Sequence, residues 1–309
     1  MGRVPHQGFK KALAALCLLI PVMNSFAQQR PQFTQYMFNN LVINPAYAGV
    51  DEALSLTFIH RSQWTGIENS PSTQTFSGHT QFADIHTGMG LTVMNDRIGV
   101  HRNLNALINY AHHVKTYDKC FLSMGLQAGI HSQKADFLSL AGSTYDPTLL
   151  NASVSYTSLD FGAGLYFRSP ALHAGLSATN LIPETVYLND SISLHIRNAN
   201  IFGFLKYKIR VNESIEAEPS VLLKHLAGVP VSYDMNMNLI WRKVLTTGIS
   251  YRKKESVALL LKAQMTRQLQ FGYAFDYPIG VVTRVSNGSH EVVIHYLFKY
   301  VRKKVRSFR

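Results

Sequence analysis

Apolar and polar residues alternate along most of this chain, so that every second side chain is hydrophobic. In 231–241, for example, Met235 and Met237 fall on one face, whereas Asp234 and Asn236 fall on the other. A period of two residues is typical of a β-strand, whose side chains point alternately to its two faces. The pattern therefore predicts an all-β protein in which each strand has one apolar and one polar face.

About fourteen such segments of roughly ten residues follow one another, and this length suits a tilted strand that crosses a membrane. The predicted strands cover 53–62, 72–82, 88–95, 103–114, 121–133, 159–168, 171–178, 196–209, 215–225, 231–241, 244–252, 256–265, 268–276 and 290–299. The intervals tend to be short after even strands and longer after odd ones, as at 134–158. This asymmetry is typical of outer-membrane barrels, which have short periplasmic turns and long outer loops.

The sequence therefore predicts a transmembrane antiparallel β-barrel of about fourteen strands, with both termini in the periplasm. A soluble all-β sandwich or barrel would also alternate. Two features favour the membrane barrel: aromatic residues lie near the strand ends of the apolar faces, and the opposite faces carry polar residues and isolated charges. The aromatic residues are Phe167, Tyr207, Tyr233, Trp241, Tyr251, Phe275 and Phe298.

The first residues, 1–27, are predicted to be a signal peptide, because a basic start precedes an apolar run over 12–23 and small residues follow it. The apolar run is too short to cross a bilayer. Cys17 raises the alternative of a lipoprotein, but Leu16 stands where a small residue is expected. We expect 28–52 to form an N-terminal segment, 53–299 the barrel and 300–309 a basic tail.

Composition argues against several other functions. The chain carries a formal charge of +12, and an exported basic protein is expected to meet lipopolysaccharide, lipid head groups or acidic proteins rather than nucleic acid. Thirteen histidines are scattered without the spacing of metal ligands. No nucleophile elbow or phosphate-binding loop occurs. We therefore expect a non-enzymatic protein without cofactors or metals.

Several segments, in order, resemble the signature of the PorP/SprF family of the type IX secretion system. The N-terminal stretch 28–50 contains the turn-forming string Asn-Pro-Ala-Tyr-Ala-Gly. The other matching segments are 61–66 with 70–74, 95–99, 248–252, and 272–276 followed by 286–291. The order and spacing of these segments carry the resemblance, which extends over essentially the whole chain after the leader.

The resemblance implies an outer-membrane component that supports secretion or surface attachment of cargo with a C-terminal sorting domain, such as gliding adhesins. It also implies two kinds of periplasmic partner: a peptidoglycan-binding lipoprotein and the ring components of the secretion machinery. The alternative is an outer-membrane transport barrel for small hydrophobic or nutrient solutes. Inward-facing Phe202 and Phe204 would line its route.

The N-terminal segment is a candidate plug, because a barrel of about fourteen strands is wide enough to hold more than its own side chains. The alternative is a disordered segment, or one that docks in the periplasm. The expected plug contacts are Tyr36, Phe38, Asn44, Pro45 and Tyr47.

Partner-binding residues are expected at both ends of the barrel. Trp64 with Arg61 is a candidate cargo-docking surface, since tryptophan and arginine favour binding hot spots; alternatively Trp64 anchors the membrane interface. Tyr145, in the loop 134–158, belongs either to a lid or to a receptor surface. The tail residues Arg302, Lys303 and Lys304 are expected either to dock an acidic periplasmic partner or to remain solvated.

Overall fold

The computed structural model describes residues 33–82, 86–136, 153–182, 184–189, 192–197, 199–226 and 229–298. Within them it contains seventeen strands and four short 3-10 helices. The strands are β1 (Leu54–Ser62), β2 (Ser72–Phe82), β3 (Thr87–Ile98), β4 (His101–Tyr117), β5 (Cys120–Asp136), β6 (Ser153–Arg168), β7 (Leu172–Thr179), β8 (Glu184–Asn189), β9 (Ile192–Arg197), β10 (Asn200–Tyr207), β11 (Ile209–Arg210), β12 (Ile215–Leu226), β13 (Ser232–Trp241), β14 (Leu245–Arg252), β15 (Ser256–Gln264), β16 (Leu269–Pro278) and β17 (Ser289–Phe298). The 3-10 helices are Tyr36–Phe38, Asn40–Val42, Pro45–Tyr47 and Val281–Arg284.

The main sheet closes on itself. Consecutive strands pair antiparallel, and β7 pairs with β10 across the β8–β9 hairpin. β10 also pairs with β12, and the first strand β1 pairs with the last strand β17. The sheet has fifteen strands; because the two-residue β11 continues β10 along the same partner β12, the ring has fourteen strand positions. This closed antiparallel barrel confirms the predicted fold class, and closure leaves the ring without a free edge.

Burial follows the predicted alternation. In β13, Met235 and Met237 are about half exposed on the outside, at 50% and 49%, whereas the inward-facing Asp234 and Asn238 are exposed by no more than 1%. The same alternation recurs in the other ring strands, whose outward residues are large and apolar. An apolar outer wall around a polar interior is the arrangement that a lipid bilayer requires.

Several strands are longer than predicted. The interval expected at 96–102 shrinks to Gly99 and Val100, and β5 and β6 extend into the loop expected at 134–158. Beyond the hydrocarbon both faces of a strand meet water, so the apolar face no longer needs apolar residues. Alternation therefore marks only the lipid-facing part of each strand, and the pairing continues past it.

The strand expected at 196–209 was also predicted incorrectly. Residues 192–197 pair with 184–189 as the separate hairpin β8–β9, and the ring strand begins only at Asn200. Ile192, Leu194 and Ile196 show the same period of two as a ring strand, so this period alone did not identify the segment as a separate hairpin.

The two ends of the barrel differ. One end, the long-loop rim, carries the connections 63–71, 99–100, 137–152, 180–199, 227–231, 253–255 and 279–288. The other end, the short-turn rim, carries the connections 83–86, 118–119, 169–171, 208–214, 242–244 and 265–268, together with the start of β1 and the end of β17. Among the described helices, none combines the length and hydrophobicity needed to cross a membrane.

Candidate functional site

Residues 33–53, here called the luminal segment, lie inside the ring and are largely buried. They contact inward-facing residues on strands all around the barrel: Thr34 contacts β17, Asn39 contacts β2, Asn44 contacts β6 and Tyr36 contacts β13. Nearly all of the fully buried apolar side chains that form the core cluster belong to this segment or to the strand residues that it touches.

Glycines in the ring wall make room for the segment. A Cβ atom added to Gly88 would lie 1.9 Å from the carbonyl oxygen of Ala48, and one added to Gly125 would lie 2.2 Å from the amide nitrogen of Ala46. Both neighbours are main-chain atoms, which a rotamer change cannot move aside. These two glycines, with Gly164 beside Asn44, form a groove in which the backbone of the segment approaches the backbone of the wall.

Asn44 holds the middle of the segment. Its side-chain amide donates to the Leu165 carbonyl oxygen at 2.9 Å and to the Leu176 carbonyl oxygen at 3.5 Å, on β6 and β7. Its Oδ1 accepts from the Ala46 amide at 2.9 Å and caps the 3-10 helix that begins at Pro45. A single side chain therefore fixes the local turn and binds it to the wall.

Aromatic packing fills the space next to this turn. Tyr36, which is 1% exposed, meets Phe204 edge-on with ring centroids 6.1 Å apart, and Asn236 donates to its hydroxyl. Tyr47 meets Tyr166 edge-on at 5.3 Å.

A buried charge cluster holds the end of the segment nearest the long-loop rim. Arg61 pairs with Asp276 at 2.6 Å and with Glu291 at 3.2 Å, and it donates to the Thr34 hydroxyl at 2.8 Å. Arg252 lies 3.3 Å from Asp234 and donates to the Phe33 carbonyl oxygen at 3.3 Å. Opposite charges are matched, as burial of ions requires.

The segment backbone takes part in the same cluster. The carboxylate of Glu291 accepts from the amides of Thr34 and Gln35, each at 2.8 Å. Asp276 accepts from the Thr34 hydroxyl at 2.7 Å. Hydrogen bonds to an ionised acceptor are stronger than those between neutral groups. The same carboxylates therefore hold the backbone of the segment and neutralise the buried arginines.

The opposite end of the segment is held near the short-turn rim. The amide of Gly49 donates to Nδ1 of His79 at 3.1 Å, and the carboxylate of Asp51 lies 3.4 Å from Nε2 of the same ring. Arg168 donates to the Val50 carbonyl oxygen at 2.7 Å and pairs with Glu52 at 2.8 Å. The segment is thus fixed at both ends and in the middle.

A basic cavity lies beside the segment at the short-turn rim. Its volume is about 260 Å³, and its lining includes Lys208, Lys243, Lys262 and Glu216. The ammonium of Lys262 sits 3.9 Å from the ring centroid of Phe38, a cation–π contact. Lys208 is paired there, because its ammonium lies 3.5 Å from the carboxylate of Glu216.

The structure separates the two residues expected to form one docking surface. Arg61 is only 2% exposed and points into the barrel, where the charge cluster occupies it. Trp64 is half-buried in the loop after β1, with φ at +52°, and its amide donates to the Ser289 hydroxyl at 3.0 Å. Arg61 therefore belongs to the lumen, and Trp64 belongs to a loop that is bound to the first residue of β17.

The other predicted partner residues, Tyr145, Arg302, Lys303 and Lys304, lie outside the described residues. The five residues expected to contact the lumen wall are described. Tyr36, Asn44 and Pro45 are buried, and Phe38 and Tyr47 are partly buried against the same core.

Sequence reasoning missed the charge cluster and the glycine groove. Arg61, Arg252, Asp276 and Glu291 each occur in one of the segments that carry the family resemblance. They are isolated charges on inward faces, which is the signal that could have grouped them. Glycines at period two, such as Gly88 and Gly90, were a further signal. Among the described residues, no group of three histidine, cysteine or acidic side chains could hold a metal ion.

Comparison with known proteins identifies the family. The family model described as "Type IX secretion system membrane protein PorP/SprF" matches residues 25–296. No curated protein matches the chain.

Solved outer-membrane proteins are similar in fold. The CymD monoaromatic hydrocarbon channel aligns with a TM-score of 0.53 at 11% identity, over 84% of this chain and 92% of that one. The P. putida toluene transporter TodX aligns at 0.46 and 11%, over 84% and 94%. The outer-membrane protein Omp33 of Acinetobacter baumannii aligns at 0.46 and 8%, over 81% and 99%. At these identities the likeness to CymD supports the barrel fold alone.

Proposed function

The chain belongs to the PorP/SprF family of type IX secretion system membrane proteins, and from this premise we propose that it supports the secretion or surface attachment of cargo with a C-terminal sorting domain. It is an outer-membrane component of that system, and its cargo includes adhesins used in gliding. The observation that carries the proposal is the family match over nearly the whole chain, together with a lumen that its own segment occupies.

An occupied lumen favours a docking role over conduction. The buried charge cluster binds the luminal segment at one end, Asn44 binds it to the wall in the middle, and Arg168 binds it at the other end. Cargo therefore does not pass through this barrel but binds at its outer face. We propose that the segment plugs the lumen, with Tyr36, Phe38, Asn44, Pro45 and Tyr47 as its contacts.

The proposed docking surface is the loop 63–71 with the residues at the start of β17. Trp64 and Thr65 bind Ser289 and Gly288 through hydrogen bonds, so the two connections form one surface at the long-loop rim. Tyr145 contributes from the loop before β6. We expect Trp64→Ala to reduce the amount of cargo at the cell surface while the barrel content of the membrane is unchanged. Phe82→Ala, an exposed aromatic near the opposite rim, is the matched control.

The proposed periplasmic contact lies at the short-turn rim. Lys208, Lys243 and Lys262 line the cavity there. β17 ends at the same rim, and the tail with Arg302, Lys303 and Lys304 follows it in the sequence. Together these basic groups suit an acidic face of a peptidoglycan-binding lipoprotein or of a ring component. Removal of 300–309 is expected to lower recovery of periplasmic proteins by pull-down from membranes. Unchanged recovery would remove the tail from the contact.

A gene deletion tests the function itself. We expect the deletion to remove a surface protein that carries a sorting domain, while uptake of small solutes stays normal. Loss of solute uptake with an unchanged set of surface proteins would instead support the transport barrel. That alternative requires a solute route along Phe202 and Phe204. In the structure, Tyr36 packs edge-on against the ring of Phe204 and lies in this route.

A further inference from the structure

The luminal segment runs through the barrel in one direction only. Thr34 and Gln35 bind Glu291, which lies two residues from the start of β17, at the long-loop rim. Val50 and Glu52 bind Arg168, the last residue of β6, at the short-turn rim. The chain therefore enters the lumen from the long-loop side, crosses it, and leaves beside the first residue of β1.

We propose that the N-terminal end of the processed chain is presented at the cell surface, through the outer mouth of its own barrel. The proposal rests on the long-loop rim facing outward, as in other outer-membrane barrels. It departs from the sequence-based expectation that both termini are periplasmic. The C-terminal end of β17 lies at the short-turn rim, so under this proposal the N-terminal end and the end of β17 lie on opposite sides of the membrane.

The residues before Phe33 are too few to return to the periplasm. Cleavage after the predicted leader leaves 28–32, and five residues span at most about 17 Å when fully extended. The seven-residue separation between Arg61 and Leu54 on β1 corresponds to roughly 23 Å along the strand. The lumen along that path is already occupied by the luminal segment itself. The long-loop rim is therefore the nearer end of the barrel for the N-terminus.

The same geometry orders the steps of assembly. β1 pairs with β17 over its whole length, from Leu54 opposite Phe298 to Ser62 opposite His290. Once this seam closes, the segment attached to β1 is enclosed. If the leader were still attached to the inner membrane, the chain between it and the outer mouth would have to run back through the closed barrel, whose lumen is occupied. The leader must therefore be removed before the seam closes.

Cysteine accessibility in whole cells tests the proposal. In a Cys120→Ser background, single cysteines are introduced as Gln29→Cys, Glu68→Cys and Asp118→Cys, and intact cells are treated with a membrane-impermeant maleimide. Glu68 is exposed in the loop after β1 and reports the long-loop rim, whereas Asp118 is exposed in the β4–β5 turn and reports the short-turn rim. Heat-modifiable migration on gels verifies that each variant is folded.

We expect Gln29→Cys and Glu68→Cys to react in intact cells, and Asp118→Cys to react only after the outer membrane is permeabilised. If Glu68→Cys reacts in intact cells but Gln29→Cys does not, the proposal is overturned. If Asp118→Cys reacts and Glu68→Cys does not, the barrel is oriented the other way and the proposal also fails. The secretion phenotype of the gene deletion is measured separately, so failure of one proposal does not imply failure of the other.

Discussion

Replacement of Gly125 by alanine tests whether the luminal segment seals the barrel. The added Cβ would lie 2.2 Å from the amide nitrogen of Ala46 and 2.6 Å from the carbonyl carbon of Pro45. An ordinary contact needs about 3.4 Å or more between such atoms, so the segment must shift by about 1 Å or leave the groove. Only one methyl group is added, and it points into the lumen, so the outer wall is unchanged.

The magnitude follows from the cost of overpacking. An extra methyl group in a well-packed site typically costs about 1–3 kcal/mol. If this cost falls on the seated state, the ratio of seated to unseated segment drops by about 5- to 150-fold. The assay is conductance of the purified protein in a planar bilayer, where unseating appears as openings that the unmodified protein shows only rarely.

Gly203→Ala is the matched control. Its added Cβ would lie on the outward face of β10, 3.7 Å from Cβ of Leu223, which is an ordinary contact. The change in the unfolded chain is the same for both variants. We expect the control to conduct like the unmodified protein. Equal, low conductance of Gly125→Ala and Gly203→Ala, with the Gly125→Ala protein folded, would refute the idea that the groove seats a seal.

Three further predictions concern the anchors of the segment. Arg61→Met leaves Asp276 and Glu291 without the cation that they share. It should destabilise the folded barrel by about 3–5 kcal/mol, which is measured as a lower temperature of heat modification. The control Arg97→Met, at the long-loop end of β3, should have little effect. Asn44→Ala removes the hydrogen bonds to two carbonyl groups of the barrel wall and should lower the stability of the folded barrel by about 1–3 kcal/mol. The control Asn95→Ala, on an exposed face, should lower it little in the same assay. Although burial opposes the shift, His79 and the Ser55 hydroxyl lower the pKa of Asp51 below its usual 3.8. The contribution of this carboxylate to stability is therefore present above that value and lost as the pH falls through the lowered pKa. Asp51→Asn should flatten the loss of stability below pH 3.8 relative to the unmodified protein, and parallel curves would contradict this assignment.

The ring strands could be predicted from sequence because the bilayer imposes a rule on every second residue. Outward positions such as Met235 and Ile249 must be apolar, whatever their neighbours are. The sequence-based prediction of strands failed in the parts of the chain where the bilayer no longer requires apolar residues. The outer parts of β5 and β6 lie where both faces are wet, and the hairpin β8–β9 has the same alternation as a ring strand but a different partner.

The course of the luminal segment could not be predicted in the same way. It has no regular period, because its three 3-10 helices adapt to a groove whose shape is set by residues distant in sequence. Candidate contacts such as Asn44 could be chosen, since a turn-forming string needs hydrogen-bond partners. The binding of Thr34 to a carboxylate 257 positions away depends on ring closure, which local sequence does not encode.

The unequal strand lengths give the barrel a tall side and a low side. β4 and β5 have seventeen residues each, whereas β14 has eight. Seventeen residues extend for about 56 Å along the strand, and a tilt of about 40° reduces this to a height of roughly 43 Å. The apolar band of such barrels is only about 25 Å tall. A protein that approaches along the membrane therefore meets a projecting wall of paired backbone at β4 and β5, but almost none at β14.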